Sequence, residues 1–486
     1  MTAPYPQTMD FMGHNLPSRI ECDIYDLVVE GNLPSEIHGI WYQSVPDPQY
    51  PPKLGKDTFL SGDGMVRSFA FDGEGHVDFK QRYIRTERWQ LEHQARKALF
   101  GAYRNPYTDD PSVRGKRRGA ANTTPFFHGG RLLSFKEDSP PWELHPVTLE
   151  TVGEWTFGGK LRSQTVTAHP RLDPASGEMH YFGYEATGLA STDVSYFVAN
   201  AKGELIKEEM FKVPYCALMH DFVVTKEHVL FPGFPIVADI ERMKAGGDHW
   251  GWDGSKESFV GVMPRKGSVK DMRWFRGRAC SVFHFINGYS EGNKVHMDMC
   301  VSDLPAFEFM REAGGLHVPQ QEIGGGLFRW TFDLSSDQDT PTETALGPAS
   351  DFPRLADKDL MVDYNVAYMG MLDFRFGPPI ISGPVGAGFN TLGRIETKTG
   401  RLTTYFPGQN RTMQEHVHVA SARPGHEGYL MHIIDRHDEN QAEVHVLEAE
   451  HIDKGPIATI KIPLRLRSGV HGNWASAAAL AKRVHA

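Results

Sequence analysis

Residues 429–447 read Tyr-Leu-Met-His-Ile-Ile-Asp-Arg-His-Asp-Glu-Asn-Gln-Ala-Glu-Val-His-Val-Leu, two short apolar runs on either side of a polar turn. Each run is long enough for a strand and too short for a helix, and the residues between them supply turn chemistry. The unit recurs: runs at 132–135, 179–184, 228–231, 295–300 and 401–406 are likewise bounded by Gly, Pro, Asp or Asn. That rhythm predicts an all-β protein of many antiparallel strands. Helical periodicity is confined to 87–103, 237–245 and 303–313, which read as insertions on one face. The run Gly324-Gly325-Gly326 reads as a flexible turn. No low-complexity linker divides the 486 residues, so one domain is expected over 1–486. No fixed-length repeat is visible either, so a propeller cannot be read from a repeat signature.

Composition narrows the function classes. Fifty-one Lys and Arg against 61 Asp and Glu give a net charge of -10, which disfavours a nucleic-acid binder because phosphate affinity needs a basic face. The basic cluster of Arg114, Lys116, Arg117 and Arg118 reads as a solvated loop without a role. Cys22, Cys216, Cys280 and Cys300 have neither the paired spacing of a zinc site nor the density of a disulfide scaffold, which favours a reducing, cytoplasmic setting. Residues 1–16 hold no basic residue and no apolar core, unlike a secretory signal. The uncharged run 376–393 carries five Gly and three Pro, which no spanning helix tolerates, so no membrane span is expected.

Among 23 histidines, context does the sorting. His169 in Thr-Ala-His-Pro, His220 in Leu-Met-His-Asp-Phe, His284 in Val-Phe-His-Phe-Ile-Asn and His471 in Gly-Val-His-Gly-Asn-Trp stand in short strand-like or turn-like settings beside apolar or small residues. Taken singly, each reads more readily as a satisfied core histidine than as a ligand. Their intervals are 51, 64 and 187 residues, and the last is close to three times the others. One ligand per blade of a closed radial β-architecture, with two blades skipped, gives that spacing. The competing pair His416 and His418 shares a strand face as in a cupin, but Ala422 and Arg423 stand where that pattern needs a carboxylate. Phosphate-loop, nucleophile-elbow, zincin and dinucleotide-binding signatures are all missing.

At these motifs the chain resembles the carotenoid cleavage oxygenase superfamily, and within it the stilbene-cleaving branch. The matching segments span nearly the whole length: Phe59-Leu-Ser-Gly-Asp-Gly-Met65, Tyr103-Arg-Asn-Pro-Tyr-Thr-Asp-Asp110, Ala168-His169-Pro170, Met219-His220-Asp221-Phe222, Phe283-His284-Phe285-Ile286-Asn287, Asp351-Phe-Pro-Arg354 and Val470-His471-Gly472. The resemblance implies a seven-bladed β-propeller capped by a dome of loops and helices. One Fe(II) per chain would sit on its axis, held by His169, His220, His284 and His471, with O2 as co-substrate. It also implies supporting carboxylates at Glu137, Asp351 and Glu415. Asp351 departs from the usual Glu and is one methylene shorter, which puts its direct hydrogen bond in question. Lys136 and Tyr103 match the pair that grips a phenol in the stilbene branch, and Phe59 would pack against the phenol ring. A lysine beside a phenol in a dry cavity favours phenolate character, which pushes electron density onto a conjugated double bond.

The expectation is therefore an Fe(II)-dependent dioxygenase that cleaves the central double bond of a small phenolic stilbene of the lignostilbene or resveratrol type into two aromatic aldehydes. Two rivals stand beside it. An apocarotenoid or carotenoid cleavage oxygenase shares the iron site but has no use for Lys136. A catalytically silent propeller used as a binding scaffold would not need all four histidines. The patch at 87–103 can line a tunnel mouth, contact a second subunit in a homodimer, or face solvent.

Overall fold

The computed structural model describes residues 4–485, so the first three residues of the 1–16 stretch lie outside the described ones. The apolar runs become strands: 132–135 lies within Arg131–Phe135, 179–184 forms Met179–Tyr184, 228–231 opens His228–Ala238, and 295–300 lies within Lys294–Ser302. The opening stretch forms Tyr429–Arg436 and Gln441–Glu448, paired antiparallel from Tyr429 opposite Glu448 to Arg436 opposite Gln441. The strands collect into seven sheets of four to six strands with a seven-bladed β-propeller arrangement.

The chain divides into two compact units, residues 1–158, 370–393 and 403–486 in one and residues 159–369 and 394–402 in the other. In the first unit, Gly472–Ser476 near the end of the chain pairs with His38–Pro46 near its start, Gly39 opposite Ser476 and Gln43 opposite Gly472. Val29–Gly31 likewise pairs with Ala458–Ile462. Joining early and late sequence in shared sheets covers edges that would otherwise offer unpaired backbone groups. Its core stacks Trp41 on Phe69 and Phe69 against Phe79, each pair 5.1 Å apart, beside Val417, Ile433, Val444 and Ile460. The second unit packs Val260, Phe275, Met297, Trp330 and Phe332 into a core of its own. Each such side chain contributes about 1.5–3 kcal/mol on full burial.

Four local expectations change, one of them at 303–313, where only Glu308–Ala313 is helical. The periodic stretch 87–103 is helical only over Glu87–Ala95, because Thr86 caps its start by accepting from the Trp89 N–H and Arg96 ends it at φ +56°. In 237–245 the first two residues finish His228–Ala238, and the helix is Ile240–Lys244, capped by Asp239. Gly325 and Gly326 are strand, not turn: they open Gly325–Asp333, opposite Ser302 and Val301. Glycine is required there by close approach, since a Cβ on Gly325 would lie 2.5 Å from the Val301 carbonyl oxygen. Among the described residues, no helix is long and apolar enough to cross a membrane, and Cys22, Cys280 and Cys300 take part in no disulfide.

Candidate metal centre

His169 precedes Arg171–Leu172, His220 lies in the turn between Ala217–Leu218 and Val223–Val224, and His284 is on Ser281–Glu291. These strands belong to three successive sheets. Pairing of Ser281–Glu291 with Lys294–Ser302 shifts register between Val282 and Phe285, so His284 stands in a bulge, a device that re-aims a side chain. The three imidazoles meet edge to face, with centroids 4.6 Å apart for His169 and His220, 5.1 Å for His169 and His284, and 5.3 Å for His220 and His284. Asp221 ties their segments together. Its buried carboxylate accepts from the N–H of Phe222 at 2.7 Å and of Phe285 at 3.0 Å, and it pairs with Arg171. Sequence reading passed over this residue; its signal was a lone carboxylate in the apolar stretch Leu-Met-His-Asp-Phe.

His471 stands immediately before Gly472–Ser476. Its Nδ1–H donates to Glu415 Oε1 at 2.8 Å, and the other Glu415 oxygen accepts from the Gly472 N–H at 2.6 Å. Glu415 also occupies an irregularity, where Arg411–Val419 shifts register against its neighbour between Met413 and His416. Position 472 requires glycine, because a Cβ there would lie 2.6 Å from Trp41 Nε1 and 2.8 Å from the Tyr42 carbonyl oxygen.

One ligand nitrogen from each of His169, His220, His284 and His471 lies within 4.8 Å of the others. The chemistry of this donor set fits a metal ion. The Nε2 atoms of His169 and His220 are 2.9 Å apart, a separation at which two lone pairs need a cation or proton between them. His284 donates Nδ1–H to Asp351 Oδ1 at 2.7 Å, as His471 does to Glu415, so each keeps an Nε2 lone pair for an ion. Four neutral imidazoles leave a divalent ion its full charge, and their softness suits iron, zinc or copper alike. The shorter Asp351 reaches His284 directly. Phe352 turns the strand at φ +52°, and its N–H donates to the same Oδ1 at 2.8 Å.

The third carboxylate, Glu137, is buried, not solvent-facing as its Lys-Glu-Asp context suggests. Its Oε1 accepts from the Tyr103 hydroxyl at 3.3 Å and lies 3.8 Å from the Arg104 guanidinium. Lys136 is buried as well, with Nζ 4.8 Å from the centre of the Tyr103 ring and donating to the Leu60 carbonyl at 3.1 Å. Burial pulls the Lys136 pKa down, against the pull of Asp138 and Glu137. Burial pushes the Tyr103 phenol well above its ordinary value, and the Glu137 charge adds to this. Phe59 is buried in the short turn Phe59–Ser61, with the Arg467 guanidinium 4.6 Å from its ring centre. In the basic cluster Arg114, Lys116 and Arg117 are exposed. Arg118 is not the solvated side chain expected: it is half-buried and clamps Asp109 at 2.9 Å and the Ala102 carbonyl at 2.9 Å.

Seven sheets with this four-histidine group define a class, and comparison with known proteins agrees. The family model described as RPE65, retinal pigment epithelial membrane protein, matches residues 15–476, and the chain belongs to that carotenoid oxygenase family. Among individual relatives, it is 39% identical to the lignostilbene-alpha,beta-dioxygenase isozyme III of Sphingomonas paucimobilis, over 98% of this chain and 99% of that one. It is 38% identical to the isoeugenol monooxygenase of Pseudomonas putida, over 96% and 97% respectively. The crystal structure of Pseudomonas brassicacearum lignostilbene dioxygenase superposes with a TM-score of 0.93 at 40% identity, covering 98% of this chain and all of that one.

Proposed function

We propose that the protein is an Fe(II)-dependent dioxygenase that cleaves the central double bond of a 4-hydroxystilbene with O2, giving two aromatic aldehydes. Both oxygen atoms of O2 enter the products, one on each former alkene carbon, so no external reductant is needed. The observation that carries this reading is the convergence of four imidazole nitrogens, taken together with a buried lysine and tyrosine in contact with each other. His169, His220, His284 and His471 would hold the iron, and a bound Fe(II) supplies the electron transfer that lets O2 react with an alkene. Asp351, Glu415 and Glu137 orient the ligand rings or the residues beside them. Lys136 and Tyr103 receive the substrate phenol: the ammonium favours its phenolate character, and the tyrosine hydroxyl turns its proton from Glu137 to the phenol oxygen when substrate binds. Residues 1–486 act as one catalytic domain. Four cysteines in 486 residues, without the density of a disulfide scaffold, support a reducing, cytoplasmic setting.

Identity of 38% to an isoeugenol monooxygenase supports a second reading, cleavage of a 4-hydroxyphenylpropene, which presents the same phenol conjugated to an alkene. The test is metal analysis of the purified protein, followed by O2 uptake and aldehyde detection with resveratrol, isoeugenol and an apocarotenal in parallel. One iron per chain and aldehydes from the stilbene are expected. Full aldehyde yield after complete iron removal would end the proposal, and turnover confined to isoeugenol would install the second reading.

A further inference from the structure

The three residues assigned to the phenol come from separate stretches, and their mutual distances matter more than any one of them. Asp57, which no motif singled out, joins two of those stretches at one atom. Its Oδ1 accepts from the Thr58 N–H at 2.8 Å, the Ser61 hydroxyl at 2.7 Å and the Tyr103 N–H at 3.3 Å. Thr58 and Ser61 bracket Phe59, whose own N–H donates to Asp10 Oδ1 at 2.6 Å. A short turn leaves its first N–H groups without internal partners, and here Asp57 and Asp10 supply them. The same turn presents the Leu60 carbonyl to Lys136 at 3.1 Å. Tyr103 lies outside any regular element and is followed by Arg104 at φ +54°. Burial raises the Asp57 pKa, while the bonds from Ser61 and Thr58 and the charges of Arg88 and Arg118 pull it down.

We infer that Asp57 is a positioning residue for phenol recognition: its single oxygen fixes the turn bearing Phe59 against the backbone of Tyr103. This rests on the proposed activity. It makes a distinct claim, that the spacing of Phe59, Tyr103 and Lys136 is set by a carboxylate that touches no substrate. Without it, Lys136 keeps the Leu60 carbonyl and Tyr103 keeps Glu137, but the turn bearing Phe59 and the backbone of Tyr103 lose their shared acceptor.

The experiment compares 4-hydroxystilbene with its 4-methoxy ether in the iron-loaded enzyme. Wild type should prefer the phenol. In Asp57→Ala, KM for 4-hydroxystilbene should rise about tenfold, as expected for losing hydrogen bonds to a charged acceptor. The methoxy ether should change little, so the preference collapses while iron content stays at the wild-type level. Ser61→Ala removes one of the three donors, leaves the carboxylate paired, and should shift the preference the same way by about two- to threefold; it reports even where Asp57→Ala does not fold. Equal losses on both substrates, or an unchanged preference in Ser61→Ala, would overturn the inference with the activity intact. No turnover of either stilbene by wild type would remove the activity itself, and this inference with it.

Discussion

Replacing Lys136 by Met tests the phenol assignment with little disturbance to the fold. Methionine keeps the length and most of the volume, and removing a charge from a buried site relieves its desolvation. The one hydrogen bond lost is to the Leu60 carbonyl, which still accepts from the Asn122 amide at 2.9 Å, so no buried acceptor is orphaned. Stability should therefore stay within about 1 kcal/mol of wild type. The phenol loses a charge-assisted partner worth about 1.5–3 kcal/mol, which corresponds to a fall of roughly 10- to 150-fold in kcat/KM for 4-hydroxystilbene. The pH profile should change too. Because burial holds the Lys136 pKa below its ordinary value, wild-type kcat/KM should decline on the alkaline side below about pH 10.4, and the variant should lack that limb. The assay is steady-state O2 uptake with the phenol and its methyl ether across pH, alongside thermal unfolding. An equal loss on both substrates, or none on either, refutes the assignment.

Three further outcomes follow from the metal centre and the core. His284→Ala should lower the iron content measured by elemental analysis, and Asp351→Asn, which can present an N–H where His284 needs an acceptor, should weaken metal affinity by about 10- to 100-fold in a chelator competition; full occupancy in both would contradict the ligand set. Gly472→Ala should destabilise by about 1–3 kcal/mol in denaturant melts, since the new Cβ lies 2.6 Å from Trp41 Nε1. Burial depresses His14 to about 4, His180 to about 3 and His432 well below its ordinary value. The unfolded chain protonates these three near pH 6.5 while the fold does not, so stability present above that pH is lost as pH falls, by up to about 4 kcal/mol per unit. A flat urea midpoint between pH 7 and 5 would contradict this.

What could be read from the sequence follows from where the physics is local. Strands such as Met179–Tyr184 are bounded by their own turn residues, so periodicity alone finds them. The apolar period over 87–103 continues past the helix because the helix ends at a single left-handed Arg96, a conformation that no side-chain pattern announces. The four histidines had a weak local signal, and their intervals gave a second. The 186 residues between His284 and His471 span two sheets, one running from Asp351–Arg354 to Arg401–Tyr405 and the next built on Arg411–Val419 and its neighbours, neither of which carries one of the four histidines.

The partners that organise those histidines carry no comparable signature. Asp221 serves Arg171, Phe222 and Phe285, and Asp57 serves Thr58, Ser61 and Tyr103. In both cases one carboxylate joins backbone groups distant in sequence, and a backbone N–H has no residue identity to read. Glu137 and Lys136 fail in the opposite sense, since Lys-Glu-Asp looks like a solvated charge run although both side chains are buried. A charge is buried only where the surrounding fold supplies its partners, so the information that Lys136 is buried resides in Tyr103 and Leu60, not in its own neighbours. Side chains that could meet an ion or a phenol are thus visible as residue types. The groups that set their positions become visible only once separate stretches of the chain are folded together.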